Sequence, residues 1–140
     1  MTSLPALDLE PLERALAALM RGLARSEAAP ADEELRDACI QRFEFTFELA
    51  WKMTKRRLER DLPSPDLLDG MSFRELMRVA AEQGLVADPA RWFEHREHRN
   101  LTSHTYDARK AARVRAALPA FASDAAALLA ALKAREAGQE

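Results

Sequence analysis

Ile40-Gln41-Arg42-Phe43-Glu44-Phe45-Thr46-Phe47-Glu48-Leu49-Ala50-Trp51-Lys52 is the stretch that decides the fold of this 140-residue chain. Ile40, Phe43, Phe47 and Trp51 recur at three- and four-residue steps, the period of one buried helix face. Leu35 upstream and Leu58 downstream extend that face. Asp32 is placed to cap the helix, and the pattern runs to about Leu62. Phe45 and Leu49 lie off the stripe, where they either widen the core contact or face a partner.

The same period continues on both sides. Leu12, Leu16, Leu19 and Leu23 give a first helix, with Pro11 in its opening turn, where a missing N–H costs nothing. Pro63-Ser64-Pro65 and Gly70 mark a loop. Ser72, three residues before Glu75, forms a capping-box pattern for a third helix with Phe73, Leu76, Met77 and Ala80 inside and Gly84 at its end. Asp88-Pro89 opens a fourth helix carrying Trp92 and Phe93. Val114, Leu118, Phe121, Ala125, Leu128 and Leu132 line a fifth, with a kink expected at Pro119. No strand alternation or repeat interrupts the series. The fold class is all-α: an antiparallel up-and-down bundle of about five helices, in one domain over residues 1–140.

Composition narrows the function. The net charge is −2, too small for a global field that would recruit nucleic acid or acidic lipid. The single cysteine, Cys39, forbids an internal disulfide and fits a reducing compartment; on its apolar stretch it reads as buried and inert. Met1-Thr2-Ser3-Leu4-Pro5 lacks the pattern of a signal peptide, and no apolar stretch reads as a membrane span, so a cytoplasmic location is expected. Only four glycines are present and none forms a phosphate loop, so the chain does not read as a nucleotidyltransferase itself.

The charges that nearly cancel are unevenly spread. Residues 1–50 hold ten acidic against five basic residues, whereas residues 51–60 set Lys52, Lys55, Arg56, Arg57 and Arg60 against Glu59 alone. Residues 88–115 carry seven basic residues, four acidic ones and all three histidines. Packed together, these segments would make a basic region able to hold RNA or a nucleotide. Taken alone, residues 52–60 also fit a solvated helix face.

Chemistry concentrates in Arg99-Asn100-Leu101-Thr102-Ser103-His104-Thr105-Tyr106. Arg99 is a fixed cation whose planar fork grips phosphate oxygens. His104 carries an imidazole, the side chain that most often does general acid–base work. On a continuous helix the two stand roughly 140° apart and share no face. Two arrangements bring them to one phosphate: a start or break of the helix between them, or the motifs of two chains facing each other in a symmetric dimer. Ordinary helices contain such residues too. Arg99 then pairs with Glu94, Glu97 or an acid on a neighbouring helix, and Tyr106 joins the core. Glu44 and Glu48 stand one turn apart, and Glu48 is expected to orient Arg99 or His104. His95, His98 and His104 lack a matching cysteine pair or acid, so no metal site is expected. His95 and His98 read as a polar helix surface facing RNA or solvent.

The Arg-x4-His-x-Tyr pattern of Arg99, His104 and Tyr106 resembles the signature of the HEPN superfamily. The Ile40–Lys52 block, and the phrase Arg99-Asn100 through Ser103-His104-Thr105-Tyr106-Asp107, resemble its branch of nucleotidyltransferase substrate-binding proteins. The likeness runs from about residue 8 to 135. It implies a helical bundle, commonly a homodimer with the motif near the dimer cleft, and a minimal nucleotidyltransferase as partner. It also implies metal-independent ribonuclease activity of a toxin, silenced by AMP addition to Tyr106.

On that resemblance, Arg99 and His104 would be catalytic, with Asn100 and Glu48 supporting them. Arg96, Ser103 and Lys52 would contact RNA or nucleotide, with no cofactor required. The other class of function is a non-catalytic subunit that binds a nucleotide and presents it, or Tyr106, to the transferase. A dimeric bundle without chemistry is the third.

Overall fold

The computed structural model describes residues 5–138; residues 1–4, on which the reading of a leader partly rests, and 139–140 lie outside the described residues. The described residues form six helices and no strand: α1 (Glu10–Ala28), α2 (Glu33–Asp61), α3 (Asp66–Asp69), α4 (Phe73–Glu82), α5 (Pro89–Leu101) and α6 (Ala108–Ala137). The sequence predicts five. The sixth, α3, is a single turn in the segment expected to be loop, with Leu68 buried beneath it.

The caps fall where their chemistry places them. Asp32 accepts from the Leu35 N–H at 3.1 Å and Ser72 from the Glu75 N–H at 3.2 Å, each satisfying an orphan donor of the first turn. Gly84 sits just past α4 at φ +79°, the left-handed conformation that closes a helix and that glycine adopts without strain.

α1 and α2 pack as a hairpin, and α6 lies against both. The leucine stripe of α1 is buried, as are Ile40, Phe43 and Phe47 of α2 and the predicted face of α6. Leu58 at the far end of the α2 stripe is also fully buried, whereas Leu35 and Trp51 are half-buried. α6 runs unbroken through Pro119, whose side chain is exposed. By length and composition α6 is apolar enough to cross a membrane, contrary to the expectation from sequence. Its alanines account for this: the large apolar residues Val114, Leu118, Phe121, Leu128 and Leu132 all pack into the core.

Two arrangements fix α5, which carries the motif. Trp92 packs edge-on against Phe121 of α6 with centroids 5.8 Å apart, and Phe121 meets Phe43 edge-on at 4.8 Å. Three residues on, His95 is buried, not surface-facing as the sequence suggests: its ring lies edge-on to Trp92 and Phe121, and its Nε2 stands 2.6 Å from Asp124 Oδ2. Burial pushes the His95 pKa down, against the pull of Asp124. The ring is therefore read as neutral, with Nε2–H donating to a carboxylate that can only accept.

The other end of the bundle is locked by charge. Arg57 is fully buried, and its guanidinium pairs with Asp61 and, at 2.7 Å, with Glu136 Oε1 of α6. Arg135 reaches Asp61 at 2.6 Å. Lys55 pairs with Asp69 at 2.9 Å. The basic run 52–60 is thus largely consumed inside the fold rather than spread as a patch; Lys52 and Arg56 are its exposed members.

Candidate functional site

The helix breaks inside the motif. α5 ends at Leu101, residues Thr102–His104 form one 3-10 turn, and Asp107 restarts the helix by accepting from the N–H groups of Arg109 (2.9 Å) and Lys110 (3.3 Å). No glycine or proline causes this. Thr102 Oγ1 donates to the Arg99 carbonyl at 2.6 Å, Ser103 Oγ to Asn100 at 3.1 Å and Thr105 Oγ1 to Thr102 at 3.1 Å. Three hydroxyls take up carbonyls that would otherwise accept from the next helical turn.

The two side chains have different surroundings on either side of the break. Arg99 turns toward α2. Its Nη1 donates to Thr102 Oγ1 at 2.9 Å and lies 3.6 Å from Glu44 Oε2, and its Nε stands 3.4 Å from Glu48 Oε1. The carboxylates are on the neighbouring helix; Glu94 and Glu97 are not its partners among the described residues. His104 is exposed on the turn. Tyr106 is 85% exposed, which removes it from the core, and its ring stands edge-on to His104 with centroids 6.1 Å apart.

Beside the motif, α2, α3, α4 and α5 line a cleft of about 430 Å³. Phe47, Leu68 and Leu76 form its buried floor. Trp51 and Phe73 are its aromatic walls, and Arg96, Arg99 and Asn100 enter from α5. Trp51, expected in the core, lines this cleft instead, with its indole Nε1–H donating to Glu48 Oε2 at 3.1 Å. The spacing of Glu48 and Trp51, three apart on one helix, is the sequence signal for that pairing.

Of the residues singled out from sequence, the cleft gathers Arg96, Arg99, Asn100 and Glu48. His104 and Tyr106 lie outside it on the turn. Ser103 is exposed beside them, and Lys52 is exposed with its Nζ 5.8 Å from the Trp51 ring centroid. Lys55, not Lys52, is the α2 lysine in the lining. No group of three His, Cys, Asp or Glu side chains is arranged for a metal among the described residues. Cys39 is buried, and burial pushes its thiol pKa up, which keeps it protonated and unreactive.

The all-α bundle, with Arg99, His104 and Tyr106 at a broken helix junction beside an aromatic-walled cleft, is the kind of fold that the resemblance to the HEPN superfamily implies. The chain belongs to the nucleotidyltransferase substrate-binding protein-like family, whose model matches residues 7–134. It is 41% identical over 96 residues to a Haemophilus influenzae protein named "Probable ribonuclease HepT", an alignment spanning 69% of this chain and 66% of that one, just under two thirds of the relative's length. Among solved structures it resembles a Haemophilus influenzae protein described as having the fold of a substrate-binding domain of a nucleotidyltransferase (TM-score 0.84, 32% identity, 90% of this chain and 99% of that one). It also resembles a Thermus thermophilus protein (TM-score 0.72, 33% identity, 86% and 98% covered).

Proposed function

We propose that this protein is the HEPN-type partner of a minimal nucleotidyltransferase and, unmodified, a metal-independent ribonuclease toxin that the transferase silences by adding AMP to Tyr106. The observation that carries this reading is the exposure of Tyr106 with its ring against that of His104. A phenol packed in the core would be closed to a modifying enzyme; this one is open, beside the imidazole it would regulate.

His104 takes the proton from an RNA 2′-hydroxyl, which attacks the adjacent phosphate. Arg99, oriented by Glu48, stabilises the charge that builds on the phosphate oxygens. Asn100 orients the site. The nucleophile belongs to the substrate, so no metal is required. A homodimer brings two copies of the motif together, and the second His104 protonates the leaving 5′-oxygen. Arg96, Ser103 and Lys52 contact the RNA. In silencing, the Tyr106 hydroxyl attacks the α-phosphate of ATP, pyrophosphate leaves, and AMP brings bulk and negative charge next to His104. A cytoplasmic location suits this chemistry.

The cleft supports a second reading. Its volume and aromatic walls suit a mononucleotide, as a non-catalytic subunit presenting substrate to the transferase would require. Intact-mass measurement after incubation with the transferase and ATP, paired with an RNA cleavage assay on the same samples, separates the two. The ribonuclease reading predicts one or more AMP additions, lost in Tyr106→Phe, and cleavage that falls as AMP is added. An unmodified protein without RNA cleavage, binding nucleotide in the cleft, supports the subunit reading instead.

A further inference from the structure

Next to the cleft, α4 and α5 carry a second feature. The Arg96 guanidinium lies 4.9 Å from the Phe73 ring centroid; those of Arg74 and Arg78 lie 4.5 and 5.5 Å from that of Phe93. All three arginines are exposed, and none is within ion-pair distance of a carboxylate among the described residues. This sets them apart from Arg57, Arg91, Arg99, Arg115 and Arg135, each of which has an acidic partner. A guanidinium lying on a phenyl face keeps its N–H edges toward solvent, where they can bind phosphate oxygens at little further ordering cost.

The stack and the cleft are continuous. A smaller groove of about 200 Å³, lined by Arg74, Phe93 and Glu97, shares Phe73, Arg96 and Asn100 with the larger cleft. Inside the larger cleft, Arg99 Nε is buried without a hydrogen-bond partner, because the Glu48 oxygen at 3.4 Å is not aligned to accept from it.

We propose that the Trp51–Phe73 cleft and the Arg96, Arg74 and Arg78 stack form one track for unpaired RNA, the cleft taking an unstacked base and the guanidiniums the phosphates that follow it. A base enters a concave, aromatic-walled site only after leaving its helical stack, so the track selects single strands. This assignment rests on the ribonuclease reading for its biological purpose, but it concerns binding and is measured without cleavage.

The test uses unmodified His104→Ala protein, which binds without cutting, and a short fluorescent oligoribonucleotide, either alone or annealed to its complement. The single strand is expected to bind at least about tenfold more tightly than the duplex. Arg74→Gln with Arg78→Gln weakens it by about tenfold and flattens its salt dependence, as the loss of phosphate contacts requires. Both arginines are exposed, so these changes spare the core. Phe93→Leu, which removes the ring beneath the two guanidiniums, weakens the single strand in the same direction. Equal affinity for the two RNA forms, or affinity indifferent to the arginine pair, overturns the track. AMP that binds as tightly as the oligonucleotide and ignores the arginine pair also overturns it, leaving a mononucleotide pocket. If wild-type protein fails to cut RNA while the binding pattern holds, the ribonuclease reading fails and the track stands.

Discussion

Glu48 bridges Trp51 and Arg99: one carboxylate oxygen accepts the indole N–H at 3.1 Å, and the other stands 3.4 Å from the Arg99 Nε. A residue on α2 thereby ties an aromatic wall of the cleft to the cation of the motif on α5. Replacing Glu48 by Gln keeps an acceptor for Trp51 and removes the charge beside Arg99. We predict roughly tenfold slower RNA cleavage, expressed in kcat rather than KM and equivalent to about 1.4 kcal/mol of lost transition-state stabilisation, with unchanged elution on size exclusion. An unchanged kcat removes Glu48 from a positioning role.

Tyr106 is free of the core, so Tyr106→Phe leaves thermal stability within about 0.5 kcal/mol of wild type while abolishing AMP addition. Mass spectrometry after incubation with the transferase and ATP reads the second outcome. AMP retained on the Phe variant places the modification elsewhere.

The Arg57 network predicts a stability effect far from the motif. Arg57 is buried between Asp61 and Glu136, and its removal leaves Glu136 without its cation and Asp61 with Arg135 alone. Arg57→Ala should cost about 3–5 kcal/mol in urea unfolding. A loss below about 1 kcal/mol, the range of exposed ion pairs, would mean that the network is not held in solution.

Much of this architecture is legible in the sequence, because side-chain period and caps are local. The α1 leucines are buried, and Asp32, Ser72 and Asp88 each cap a helix as their spacing requires. Arg57 and His95 differ from their sequence-based expectation because their partners, Glu136 and Asp124, lie far along the chain; a charge run looks solvated until the opposing helix is known. The end of α5 is hard to read for a different reason. No proline or glycine marks it, and the hydroxyls of Thr102, Ser103 and Thr105 accompany it with hydrogen bonds to carbonyls three residues back that composition alone does not reveal. Of the site, the motif and Glu48 are visible in the sequence. The cleft is not, because Trp51 and Phe73 look like any other core aromatics along the chain.

His95 gives the fold a sign in its pH dependence. Burial lowers its folded pKa below the ordinary 6.5, with Asp124 opposing and Arg91 and His98 adding to the shift. Between the folded and unfolded values, the unfolded chain binds more protons, so stability falls as pH drops through that window. Asp61, Asp124 and Glu136 have pKa values held below the ordinary carboxylate range: burial pushes each up, but hydrogen bonds and cationic neighbours outweigh it. Their contributions are lost in turn at more acidic pH. Urea unfolding from about pH 7 to pH 5 should show falling stability, with a shallower slope in His95→Gln. A variant slope equal to wild type assigns the effect to other groups.

The ribonuclease mechanism is tested most directly by the chemistry of its product. Unmodified protein is incubated with RNA in the presence of a metal chelator, alongside His104→Ala, and the new ends are identified. Attack by the 2′-hydroxyl predicts 2′,3′-cyclic phosphate and 5′-hydroxyl ends from the wild type, and no cleavage above background from the variant. Cleavage that survives in His104→Ala, requires a metal, or leaves 3′-hydroxyl ends would contradict it.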